Sequence, residues 1–150
     1  MKSDLARIVY GIALISVGCA LEELMPKFLG VGFPLLLAAV LSVSSRRGVF
    51  ESVAFAVAAG AAEDAISSLP VATSASFFTI AALFANSTRS PTALPALAFP
   101  LYQMWLWMWL PQVGAGVFAR TVVAAPFGCL AFVAVSALMR FAERRASIDA

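Results

Sequence analysis

Apolar residues run through this chain in long blocks, broken by short charged, Ser- or Pro-containing connections. The blocks predict six helices of membrane-spanning character. The first covers about 5–21 and ends at Glu22-Glu23 and Pro26-Lys27. The second covers 28–45, with Pro34 in its first turns and Arg46-Arg47 at its end. The third covers 49–62 and stops at Glu63-Asp64, and a polar connection reaches Thr73. The fourth covers 74–85 and is followed by an Asn86–Pro91 loop. The fifth covers 93–110 and ends at Pro111-Gln112, and the sixth covers 117–139 and ends at Arg140 and a charged tail. Spans three and four have cores of only about 18–21 Å at 1.5 Å per residue, against a hydrocarbon layer of about 30 Å. Either their ends reach into the connections, or the bilayer thins there, or one re-entrant hairpin replaces both.

Composition turns these helices into a membrane expectation. The 150 residues are 62% hydrophobic and 12% charged. A soluble domain this small exposes too much of its area to hide so much apolar surface. The expected architecture is an all-α polytopic membrane protein, a single transmembrane domain over 1–150. With the N-terminus in the cytoplasm, the inside connections hold Lys2, Arg7, Arg46, Arg47, Arg89, Arg140, Arg144 and Arg145, and the outside ones only Lys27 and Arg120. That is the positive-inside pattern. It makes Arg46 and Arg47 topology determinants and puts both termini inside, in a multi-pass membrane protein. Lys2 and Arg7 before an apolar run, with Gly18-Cys19-Ala20 near its end, also fit a signal peptide. More membrane follows, so the run is read as a retained first span. A net charge of +2 gives no argument for nucleic acid.

Candidate chemistry is sparse. There is no histidine, which removes histidine acid–base catalysis and the commonest metal ligand. Cys19 and Cys129 lie far apart in apolar runs and read as buried free thiols. Ser52, Ala56, Gly60 and Asp64 recur at spacing four, a stripe of small residues ending in a carboxylate. It is either a helix-packing or partner seam, or a seam that holds Asp64 in a protein interior, where an acid is paired or functional. Arg120 is the candidate counter-charge for Asp64 or Glu63 on the outer side, with snorkelling to headgroups as the alternative. Trp105, Trp107 and Trp109 are read as an interfacial aromatic belt, with a binding role for the face shared by Trp105 and Trp109 as the alternative. Glu51 is expected to pair with the start of its own helix, and Pro126 with Gly128 to kink span six or mark a packing site. Two converging membrane aspartates, a serine with a base, a phosphate-cradling Gly motif and a metal cluster are all missing from the pattern. The expectation is a non-enzyme without cofactors.

One stretch carries a resemblance. Phe33-Pro34-Leu-Leu-Leu, then Arg46-Arg47-Gly48, then Gly60-Ala-Ala-Glu-Asp64-Ala-Ile-Ser-Ser-Leu-Pro70 resembles the rod shape-determining MreD family over Phe28 to Ala75. The C-terminal span, with a proline in its first half and Leu138-Met139-Arg140 before a basic tail, is also similar. The family's turn after the acid commonly carries glycine where this chain has Ala72 or Thr73, and an apolar residue where it has Glu63. The resemblance implies a non-catalytic scaffold of the cell-elongation machinery in the bacterial cytoplasmic (inner) membrane. Its partners would be MreC and, directly or through it, MreB and the peptidoglycan synthases. It also implies a six-helix arrangement similar to the substrate-binding subunits of energy-coupling-factor vitamin transporters. A small-molecule-binding subunit of that kind is the alternative function. Its pocket would need polar groups from several spans, and the sequence offers Glu63, Asp64, Gln103, Gln112 and Arg120. A small-residue stripe suits a scaffold better.

Overall fold

The computed structural model describes residues 2–24, 34–88, 93–109 and 117–148. All regular structure among them is helical: α1 (Lys2–Leu24), α2 (Leu35–Ser44), α3 (Val49–Ile66), α4 (Thr73–Ser87), α5 (Ala93–Trp109) and α6 (Val117–Ile148).

The bundle is built around α2. Its sequence LLLAAVLSVS has no charged residue and is apolar on every side, the pattern of a helix surrounded by protein or lipid. Every residue from Leu36 to Ser44 is buried, at 0–5% exposure. The other five helices pack around it, α1 and α3 on one side and α4, α5 and α6 closing the rest. Pro34 precedes the first turn, where a missing N–H costs nothing, and its carbonyl accepts from Ala38 N at 3.1 Å. Of the two serines in α2, Ser42 Oγ meets Ser136 Oγ of α6 at 2.8 Å, whereas the buried Ser44 Oγ has no hydrogen-bond partner. In a dry interior the Ser42–Ser136 bond satisfies both of its hydroxyls at once.

Two crossings are backbone-close. A Cβ at Gly60 of α3 would sit on the backbone of Ser74 and Ala75 in α4, so only glycine permits this approach. A Cβ at Gly128 of α6 would enter the ring of Phe99, a buried residue of α5. α6 runs on through Pro126, and Gly128 two residues later is the packing site.

Four expected boundaries are corrected. Span two, placed at 28–45, is an α-helix only from Leu35, because Pro34 caps it instead of lying within its first turns; residues 28–33 are outside the described part. α2 is thus the short helix, about 15 Å long. α3 and α4, expected to be the short ones, have 18 and 15 residues, because the polar residues assigned to connections stay helical. Glu63 and Asp64 therefore lie in the last turns of α3, and the connection shrinks to 67–72. α6 continues beyond Arg140 to Ile148, so the charged tail is helical.

Successive helices alternate in direction, which sorts charge to two ends. The end of α1, the start of α2, the end of α3 and the start of α4 meet at an acidic end, through Glu22–Leu36 and Asp64–Ser74 contacts. The α2–α3 turn and the later part of α6 meet at a basic end, where Arg46 Nη2 donates to Ser136 O at 3.2 Å. Between the ends, large apolar side chains point outward from all five outer helices, among them Ile12, Val57, Phe84, Met108 and Val133. One stretch, Thr121–Ala142, is long and apolar enough to cross a membrane by length and composition.

Candidate functional site

The acidic end gathers the polar side chains of the bundle. Asp64 is 6% exposed. Its Oδ1 accepts from Ser74 N at 2.7 Å and its Oδ2 faces Ala75 N at 3.5 Å. These are orphan N–H groups of the first turn of α4, and the residue at the N-cap, Ala72, has no side chain to satisfy them. A carboxylate from the preceding helix thus does the work of a cap, and its charge faces the positive end of the α4 dipole. The chain reaches this arrangement through a tight turn in which Ser68 and Ala72 take left-handed backbone, φ 51° and 68°. Non-glycine residues adopt that conformation only at a cost of about 1–2 kcal/mol.

Aromatic residues of α5 complete the lock. Tyr102, buried, shares a 2.7 Å hydrogen bond with Ser74 Oγ. Trp105 Nε1 donates to Thr73 O at 2.9 Å, and Phe77 packs against both rings at centroid distances of 5.1 and 6.1 Å. Trp105 is therefore a structural donor to the start of α4, while Trp107 and Trp109 point outward from the same helix. Trp105 and Trp109 also stack on each other, 6.1 Å apart.

A second acidic contact ties α1 to the bundle. Glu22 Oε1 accepts from Leu36 N at 2.9 Å, which satisfies the start of α2, and its carboxyl also hydrogen-bonds the Glu63 side chain. Glu22 lies past the apolar run that ends at Leu21. Burial first, and then the neighbouring Glu63, push its carboxyl from 4.5 up to about 9. The raised carboxyl favours a protonated Glu22 beside Glu63. Glu63 also accepts from Ser67 Oγ at 3.1 Å.

The small-residue stripe lies inside. Ser52, Ala56 and Gly60 are all buried, and Gly60 lies against the backbone of α4. That face is filled within the chain and is not open to a partner. The counter-charge expected for Asp64 at Arg120 concerns a side chain outside the described residues; the partners of Asp64 are the backbone N–H groups of α4. At the basic end, Arg47 Nη1 and Glu51 Oε2 form an i,i+4 ion pair at 3.1 Å, and Arg46 and Arg140 both donate to Ser136 O. Glu22, Ser74 and Tyr102 carry this site and were not singled out from the sequence. Glu22 entered only as a stop signal after span one, and a serine and a tyrosine within apolar helices carry no signature.

Beside the basic end lies an apolar groove of about 550 Å3 between α1 and α3. Ile8, Ile12 and Ile15 form one wall and Phe50, Ala54 and Ala58 the other, with Arg47 and Glu51 at one end. Among the described residues no group of three or more His, Cys, Asp or Glu side chains is placed to hold a metal ion. No protein-family model, curated protein or solved structure matches the chain.

Proposed function

We propose that this chain is a non-catalytic scaffold, multi-pass in the bacterial cytoplasmic membrane with both termini inside, that holds cell-elongation partners by helix packing. The observation that carries the reading is the outer surface. Five helices turn large apolar side chains outward around a sixth that is wholly buried, and the polar groups collect inside at the ends. Contiguous exposed apolar surface on that scale suits lipid and other helices, not water. The acids have structural employment, Asp64 as a cap and Glu22 as a clasp, which supports a role without catalysis. The partners, MreC and with it MreB and the peptidoglycan synthases, follow from the resemblance over Phe28 to Ala75. Because Ser52, Ala56 and Gly60 are buried within the chain, a partner helix would meet the outward faces of α1 and α3 instead.

The test is co-expression of the tagged full chain with MreC from the same organism, solubilisation in mild detergent and capture. Stoichiometric MreC supports the scaffold. Recovery of a transporter ATPase pair, with no MreC, would replace it by the small-molecule-binding subunit. That second reading has one observation in its favour: α1, α3, α4 and α5 all contribute polar side chains to the acidic end.

A further inference from the structure

We draw no further inference here: the strongest candidate, the apolar groove of about 550 Å3 between α1 and α3 beside the basic end, carries nothing, because nothing in the structure shows what covers it.

Discussion

At the acidic end, Asp64 is buried with both oxygens turned to backbone N–H groups, Glu22 accepts from the start of α2, and Tyr102 and Trp105 bond to the first residues of α4. At the basic end, Arg46, Arg47 and Arg140 lie toward the surface, and two of them donate to one carbonyl. Both ends hold several charged groups, yet only the first is welded by them. A carboxylate buried against orphan N–H groups cannot be removed without stranding its partners, whereas an exposed ion pair is replaced by water at little cost. The acidic end is therefore the mechanical anchor of the bundle, and the basic end is held more loosely.

The substitution expected to damage this contrast most is Gly60→Ala. It adds about 1 kcal/mol of helix propensity, but the new methyl meets the Ser74–Ala75 backbone, which cannot rotate away as a side chain would. A net loss of about 3 kcal/mol is expected in detergent-unfolding titrations. Asp64→Ala comes next, at about 2 kcal/mol, the cost of a lost cap with stranded donors. Asp64→Asn, which keeps one acceptor, should fall between it and the parent.

Glu22→Gln tests the raised carboxyl of Glu22. A carboxyl raised from 4.5 to about 9 keeps its proton in the folded state where the unfolded chain has released it. Stability should then fall as pH rises from about 4.5 to about 9. Glutamine mimics the protonated form and should flatten that profile, read as melting temperature in detergent across the same window. A parent protein whose melting temperature rises over that range would refute the raised Glu22 carboxyl.

Ala72→Gly works in the opposite direction. Its φ of 68° is one that glycine adopts without penalty, so the variant should gain about 1 kcal/mol in the same titration. Smallest of all, Arg47→Gln at the basic end should cost under about 0.5 kcal/mol, and less still at high salt. If Arg47→Gln proved as damaging as Asp64→Ala, the distinction between the two ends would collapse.

Much of this was legible in the residues. Long apolar blocks gave six helices, and the sorting of Arg46, Arg47 and Arg140 away from Glu22, Glu63 and Asp64 reappears as the two ends of the bundle. The spacing of Ser52, Ala56 and Gly60 marked a close-packed face. What that face touches was not legible, because a stripe of small residues is the same whether its neighbour is α4 or another protein. The role of Asp64 was hidden for a related reason. Capping motifs are recognised locally, a few residues before the helix they serve, and here the cap comes from ten residues upstream across a helix crossing. The start of α2 was missed because 28–33 continue the apolar pattern into Pro34, and the helical tail because its charge suggested a loop.

The burial of α2 bears on how the molecule is assembled. A ten-residue helix of about 15 Å is too short to rest across a bilayer by itself, and Ser42 finds its partner only on α6. Of the six helices, α6 leaves the ribosome last. Until it arrives, one side of the central helix is an open wound, and the core around that helix waits on the final one. Completion is thus an all-or-none event, and a chain interrupted before α6 would present its unhealed interior to whatever quality-control protease meets it.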